Sequence, residues 1–338
     1  MQEAKPDGII FADPGFYPSL RKHLPDIPIH ISTQANVLNY EAVKFWRDLG
    51  VSRVILAREL SLKEIEQISQ KVPDIELEVL VHGSLCVSYS GRCLLSDYLS
   101  NNERKANQGN CSQPCRWRYK MVAEGNPDEQ YEITEDEKGT YIMNPKDIAL
   151  IRYIPDLIDA GVCSFKVEGR TKSMYYASLV AKSYRKMIDA YYSGKEPDVT
   201  ELYNELTYAG NRGFTEGFLL NKPDSSHYNY ISGKGNPKSV FLGIITDKIS
   251  DDTYKISVKN QLKIGENVDF ITPESQINTT ILEIFDIYGE KIEIANTNAE
   301  VVIKFDDGPE YWNKGIIRSK KEEAGVKTET RLHSGTCY

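Results

Sequence analysis

The sequence has little of what would place it in a membrane or outside the cell. No apolar run approaches the roughly 18 residues that a membrane-spanning helix needs. Its start, M-Q-E-A-K-P-D-G, carries neither the basic stretch nor the apolar core of a secretion signal. Cysteine is sparse, six in 338 residues, and four of the six fall between positions 86 and 115. That distribution is not the spread disulfide framework of a small secreted protein. The expectation is a reducing cytoplasm, where such a group binds metal or does chemistry. Basic charge is not in surplus either. The net charge of −8 argues against coating nucleic acid non-specifically, while a local basic patch stays open. Also missing are H-E-x-x-H, G-x-S-x-G, a P-loop and a G-x-G-x-x-G opening a helix. Those absences discount the helix-borne zinc protease, the serine-hydrolase elbow and the common nucleotide-binding loops.

What is present is enough apolar residue, 40%, for one large domain or two ordinary ones. The first 85 residues repeat one rhythm. Apolar runs at 8–13, 27–32, 51–57 and 76–82 alternate with helical patterns around Tyr17–His23, over 39–50 and over 61–72. Ser61 followed by Glu64 is a capping-box signature. Continuous apolar strands alternating with amphipathic helices predict parallel β/α units, and their spacing suits a β/α barrel. A polar, cysteine-rich insertion spans 83–139, with a hairpin expected around 116–123. The rhythm resumes with a strand at 140–144, a helix over 147–160, a strand at 163–168 and a long helix from Ser173 to Tyr192. The predicted fold is thus α/β over residues 1–200, a TIM-like barrel short of its first units. A connecting segment follows at 201–238. From 239 to 320 short alternating runs predict a small all-β barrel, and the charged tail, 321–338, is expected to be disordered.

The clustered cysteines are Cys86, Cys93, Cys111 and Cys115, spaced C-x6-C-x17-C-x3-C. Four converging thiolates suit an iron–sulfur cluster or zinc. Buried free thiols without metal are the third reading. Cys163 opens a strand and is expected as small apolar filler. Polar residues collect where apolar strands stop: His30, Gln34, Glu59, His82 and Arg170 among them. In a β/α barrel those ends line the mouth. Lys166 and Glu168 alternate along one strand, so both can face the interior as acid and base, or form a structural ion pair. Cys86 lies four residues after His82, which leaves a cysteine–histidine dyad open. Basic and aromatic residues follow the cysteines: Arg104, Lys105, Arg116, Trp117, Arg118, Tyr119 and Lys120. Arginine beside aromatics suits phosphate and base contacts, and a solvated loop is the plainer alternative.

The stretch E-V-L-V-H-G-S-L-C-V-S-Y-S-G-R-C-L-L-S (78–96) resembles the signature of the collagenase-like peptidases, peptidase family U32. Gly83, Ser84, Leu85, Cys86, Gly91, Cys93, Leu95 and Ser96 match it. Leu80 stands where the family usually has phenylalanine. The resemblance runs on through N-Q-G-N-C-S-Q-P-C-R-W (107–117), Y-I-M-N-P-K-D (141–147), F-K-V-E-G-R-T-K-S (165–173) and N-R-G-F-T-E-G-F (211–218). These segments look most like the branch that makes 5-hydroxyuridine at the tRNA wobble position with prephenate as co-substrate. The resemblance implies a β/α-barrel core and a [4Fe–4S] cluster on Cys86, Cys93, Cys111 and Cys115, with zinc the alternative and Cys163 a second choice for the fourth ligand. It further implies tRNA as partner and a barrel completed by a paralogous subunit or by a longer native protein; no membrane partner is expected, given the lack of long apolar runs. A peptidase activity, carried in the family's older name, and a non-catalytic subunit are the competing functions. The expected catalytic residues are His82, Lys166 and Glu168. The expected substrate contacts are His30, Gln34, Glu59, Arg92, Arg116 and Arg170.

Overall fold

The computed structural model describes residues 4–86, 88–117, 121–123, 126–131, 145–170, 172–222, 227–228 and 237–321. The predicted strand at 140–144, the tail beyond 321, and Arg118, Tyr119 and Lys120 lie outside the described residues. The chain divides into two compact units, Met1–Pro237 and Lys238–Tyr338.

In the first unit strands and helices alternate: β1 (Ile9–Phe11), α1 (Tyr17–His23), β2 (Ile29–Ile31), α2 (Tyr40–Asp48), β3 (Arg53–Ile55), α3 (Leu62–Lys71) and β4 (Glu76–Ser84). Local chemistry sets the helix starts. The Asn39 side chain accepts from Ala42 N at the head of α2. At α3 the Ser61 and Glu64 side chains satisfy each other's backbone N–H, as the capping box requires. β1 to β4 run parallel in that order. Ile29, Ile31, Val54, Leu77 and Val81 of these strands are fully buried, as are the inward Val43, Ile65 and Ile68 of the helices. Truncating one of these, Leu77→Ala for instance, would cost about 2–5 kcal/mol.

Within the insertion lie the short α4 (Leu95–Leu99) and the hairpin of β5 (Met121–Ala123) with β6 (Asn126–Tyr131); past it come β7 (Asp147–Ala149), α5 (Ile154–Asp159) and β8 (Ser164–Val167). The long α6 (Met174–Ser193) is capped by Ser173. Helix α7 (Val199–Tyr208) and strand β9 (Phe214–Thr215) then complete the unit. Three differences from the sequence-based expectation stand out. Residues 147–149 are not helical: β7 pairs antiparallel with β4, so the sheet is mixed, and helix begins only at Ile154, where Pro155 suits the first turn. The hairpin lies further along than 116–123. The supposed connecting segment contains α7 and β9, and β9 pairs with β7. The sheet is seven-stranded, in the order β1-β2-β3-β4-β7-β9 with β8 also on β4. Among the described residues β1 pairs only with β2 and β9 only with β7, so closure into a TIM barrel is not seen.

In the second unit the strands are β10 (Ser239–Lys248), β11 (Thr253–Val258), β12 (Leu262–Lys263), β13 (Asn267–Ile271), β14 (Gln276–Phe285), β15 (Lys291–Ile292), β16 (Ile294–Ala295), β17 (Glu300–Phe305) and β18 (Ile316–Lys320). Six of them form a closed antiparallel ring, β13-β18-β10-β11-β17-β14, with β14 back on β13. Inward positions alternate along each strand, as in β11, where Tyr254, Ile256 and Val258 are buried. They meet Phe270, Phe305 and Ile317 in one core. No described helix is long and apolar enough to cross a membrane.

Candidate functional site

Strand β4 is the spine of the site. It carries parallel β8 over Glu78 to His82 and antiparallel β7 over His82 to Ser84, and its register with β8 shifts between Leu80 and His82. The shift brings Glu168 N onto His82 O at 2.9 Å. Gly83 sits at φ +123°, and a Cβ there would lie 2.6 Å from the Glu168 carbonyl oxygen. Only glycine lets the two chains pass so closely at that angle, which explains the glycine before the first cysteine.

Beyond β4 the cysteine segment is held by hydrogen bonds from neighbouring strand ends. Ser90, buried and left-handed at φ 46°, donates its N–H to Glu59 Oε1 at 2.6 Å and its hydroxyl to Oε2 at 2.9 Å. Arg92 Nε donates to Gln34 O at 2.7 Å. Glu59, Gln34 and Arg92 therefore fix the turn between Cys86 and Cys93. Ser96, at the end of the G-R-C-L-L-S run, is fully buried. Its hydroxyl donates to Arg104 O at 2.6 Å and accepts from Ser112 N at 2.9 Å. The Arg104 guanidinium donates to Asn110 O and Cys111 O, at 3.3 and 3.2 Å. One serine and one arginine thus tie the first cysteine pair to the second. Arg170 donates to Gly109 O, anchoring the same segment to the loop after β8. Arg116 donates to the Gln113 side chain.

All four thiols are reduced and half-buried. Cys86 Sγ lies 2.9 Å from Ser88 Oγ, and Cys111 Sγ accepts from Gln113 N at 3.2 Å. Burial pushes the Cys115 thiol up, Arg116 opposes that, and Cys86, Cys111 and Cys93 each push it further. The four sulfurs thus lie within electrostatic reach of one another. They do not close on one point: among the described residues no group of three or more histidine, cysteine or carboxylate side chains is placed to hold a metal ion. Cys163 is exposed rather than core filler, with its Sγ 3.5 Å from Leu77 O.

Lys166 and Glu168 do not pair with each other. β8 ends at Val167, and the Glu168 carboxylate turns back to accept from Arg170 N at 3.0 Å. Lys166 instead meets Glu78 at 3.2 Å, and the same buried carboxylate accepts from Arg53 at 3.2 Å and Ser164 at 2.9 Å. Burial would raise the Glu78 carboxyl, but Ser164, Lys166 and Arg53 together hold it low. His30, paired in register with Arg53, is lowered by burial and by that guanidinium. This ionic belt crosses β2, β3, β4 and β8. Glu78 was missed in the sequence, although E-L-E-V alternation hints at it.

His82 is wholly buried, against the rings of Tyr176, Tyr184 and Phe214 at 5.7, 5.5 and 5.4 Å. Burial, with help from Lys172, lowers its pKa to about 3, so the imidazole is neutral and shielded. Opposite it stands a buried ion pair, Arg212 with Asp147 Oδ1, and Lys172 Nζ lies 3.9 Å from Asp147 Oδ2. Asp147, Lys172, Tyr176 and Arg212 were not singled out in the sequence, though each lies in or beside a quoted motif. Described residues of all five motif segments, Ser84, Gly109, Asp147, Arg170 and Arg212 among them, are tied together near this end of β4.

Residues 1–229 match Peptidase family U32, and residues 237–318 match the Peptidase family U32 C-terminal domain. The "tRNA hydroxylation protein P" of Escherichia coli K12 is 40% identical over 334 residues, covering 87% of this chain and 73% of its own length. The "tRNA hydroxylation protein P1" of Bacillus subtilis 168 is 35% identical, covering 94% and 75%. The "23S rRNA 5-hydroxycytidine C2501 synthase" of Escherichia coli K12 is 33% identical, covering 78% of this chain but 39% of its own. The glycine, serine and four cysteines whose packing is described above thus lie within the matched residues 1–229, and the chain belongs to peptidase family U32.

Proposed function

We propose that this chain is an RNA-hydroxylating enzyme that installs 5-hydroxyuridine at the tRNA wobble position. The observation that carries the reading is the four-cysteine centre at the end of β4, in a chain whose relatives are named for tRNA and rRNA hydroxylation. Reduced thiols gathered on one segment are the donor type of a thiolate-bound cluster, and Cys86, Cys93, Cys111 and Cys115 would hold [4Fe–4S] once drawn together. When bound, such a cluster supplies electron transfer or a Lewis-acidic iron beside the substrate. The chain's own residues do the positioning. Ser96 and Arg104 keep the two cysteine pairs in register, and Glu59 and Arg92 fix the turn between the first two. The exposed Tyr89, Tyr98 and Trp117 lie along the same segment as Arg92, Arg104, Lys105 and Arg116, a combination suited to stacking bases and contacting phosphates of tRNA. Prephenate is the co-substrate in this reading. The open mixed sheet is read as part of a β/α barrel, completed by a paralogous subunit, in the cytoplasm.

The test is nucleoside mass spectrometry of tRNA from a strain lacking the gene. Loss of 5-hydroxyuridine-derived nucleosides, restored by the wild-type chain and not by Cys111→Ser, is the expected result. Unchanged nucleosides, in a strain with no redundant pathway, would overturn the reading.

A further inference from the structure

On the outer wall of the C-terminal barrel two neighbouring strands part. The ladder of β14 with β17 ends where Phe285 stands opposite Val302. Glu300 and Val301, further back along β17, pair with β11 alone, so on the β14 side they form an unpaired strand edge among the described residues. The parting leaves a groove of about 490 Å³. Phe285, Ile287, Val301 and Val302 give it an apolar lining, and Lys255 and Glu300 are its charged members. Ile287 and Tyr288, on the turn from β14 to β15, are 68% and 85% exposed, more than any other large apolar side chain described in this unit.

The turn that carries them is firmly built. Asp286 Oδ1 accepts from Tyr288 N at 2.8 Å and from Glu290 N at 2.9 Å. Asp286 N donates to Glu290 O at 2.9 Å, and Gly289 N donates to Asp286 O at 3.1 Å. Gly289 takes φ +85°, which glycine adopts without strain. Neither Ile287 nor Tyr288 belongs to the barrel core. A fixed apolar patch that the core does not use marks a contact surface. Because its turn is already ordered, little further ordering is needed when something binds.

The charges decide what it contacts. Asp286 and Glu300 line the groove, and Glu290 lies on the same turn. The Glu290 and Glu300 carboxylates have no ion pair or hydrogen bond among the described residues. The cations nearby already have partners: Lys255 lies 3.7 Å from Asp247, Lys291 2.7 Å from Glu283 and Lys304 3.8 Å from Asp252. The surplus is negative, so it repels the phosphates of RNA. It complements a partner that brings apolar side chains together with lysine or arginine. An extended segment suits the shape, because alternate side chains fill a groove while those between them reach its rim, and the free edge of β17 can take up its backbone.

We propose that this groove is the docking site for an extended basic segment of a partner protein. Its apolar side chains sit on Phe285, Ile287 and Val302, and its lysines or arginines meet Asp286, Glu290 and Glu300. The site lies wholly within the C-terminal unit and does not depend on the RNA hydroxylation proposed above.

The test is a fluorescence-anisotropy titration of the full chain with three labelled probes. They are a short end-blocked peptide alternating leucine with lysine, its counterpart with glutamate for lysine, and a single-stranded oligouridylate of similar length. The lysine peptide should bind about tenfold more tightly than either other probe, by a margin that narrows as salt is raised. Ile287→Asn should weaken it about three- to tenfold. Glu300→Lys should weaken it about fivefold and improve the glutamate peptide. Both positions are exposed, so the thermal midpoint should hold in each variant; if one folds poorly, the other decides. Amide exchange should show the lysine peptide protecting residues 284–302 and leaving 53–84 unchanged. Absence of lysine-peptide binding, equal binding of the two peptides, oligouridylate binding as tight as the lysine peptide, protection elsewhere, or wild-type affinity in the variants would overturn the docking site.

Discussion

Each unit of this protein buries an arginine–aspartate pair, and the two pairs are finished differently. In the C-terminal barrel Arg318 and Asp269 are 0% and 3% exposed on their side chains. The Asp269 carboxylate accepts from Arg318 Nε at 2.9 Å and Asn278 at 3.1 Å, and Lys320 lies 3.3 Å away. Burial would raise that carboxyl, but Asn278, Arg318 and Lys320 hold it below its ordinary value. In the first unit Arg212 engages one oxygen of Asp147 and the other has no hydrogen bond among the described residues. A buried charge with every lone pair used is a structural fixture. One left half-used, near a tyrosine hydroxyl and a histidine nitrogen that also lack partners among the described residues, contributes less to stability than it costs to bury.

The comparison breaks most visibly if the barrel pair is cut. Arg318→Met leaves Asp269 buried without its main partner, and the expected loss is about 3–5 kcal/mol. Amide hydrogen exchange separates the units, because each reports its own opening. Protection should fall in peptides from residues 239–320 and hold in those from 53–84. Uniform loss across both, or no loss, would show that the pair is not the local fixture described.

The difference between the two units also marks what the sequence could reveal. The β/α rhythm is legible because capping residues and apolar period agree, as at Ser61–Glu64 with Ile65 and Ile68. The barrel strands are legible because one face alternates. β18 is harder, since I-I-R-S-K buries its arginine and a lone charge in a short run reads as loop. The four cysteines are legible by spacing alone. The polar site is not. Asp147 opens a run, D-I-A-L-I-R-Y-I, that fits helix as well as strand, and only pairing with His82 to Ser84 decides it. Lys172, Tyr176 and Arg212 come from three other places, and nothing local says they meet. Lys166 and Glu168 misled for a related reason: two-residue spacing implies one face only while the strand lasts, and β8 stops between them.

A smaller effect sharpens the contrast through pH. His82 is held neutral, its pKa lowered to about 3 from 6.5. The unfolded chain takes up a proton below about 6.5 that the folded chain refuses, so stability is complete above that pH and falls as pH drops toward 3. The slope is about 1.4 kcal/mol per pH unit, hence roughly 2 kcal/mol at pH 5. His82→Phe, which keeps an aromatic among Tyr176, Tyr184 and Phe214, should flatten most of this limb. His30, also lowered by burial, leaves a shallower one. Urea midpoints at pH 7 and pH 5 measure it. An acid limb as steep in the variant as in the wild type would mean that His82 is not the group held neutral. Asp269 and Glu78 are also lowered in the fold, so their stabilisation begins to fade only near the ordinary carboxylate values of about 4, and they add little between pH 7 and pH 5.

The smallest effect puts the comparison on two hydroxyls. Tyr254, wholly buried in the barrel, donates to Asp251 O at 2.9 Å. Removing its hydroxyl leaves that carbonyl short of a donor, and Tyr254→Phe should cost about 1 kcal/mol. Tyr176, buried to a similar degree, bonds to nothing described, and burial raises its hydroxyl well above the ordinary tyrosine value. Tyr176→Phe removes a desolvated group that gains nothing in the free protein, so stability should hold or rise by up to about 1 kcal/mol. Unfolding of each unit followed by hydrogen exchange gives both numbers. Opposite signs are expected because the Tyr254 hydroxyl is bonded and the Tyr176 hydroxyl has no partner among the described residues. A loss at Tyr176 equal to that at Tyr254 would mean its hydroxyl is satisfied in solution, and the distinction between the two units would then rest on Asp147 and His82 alone.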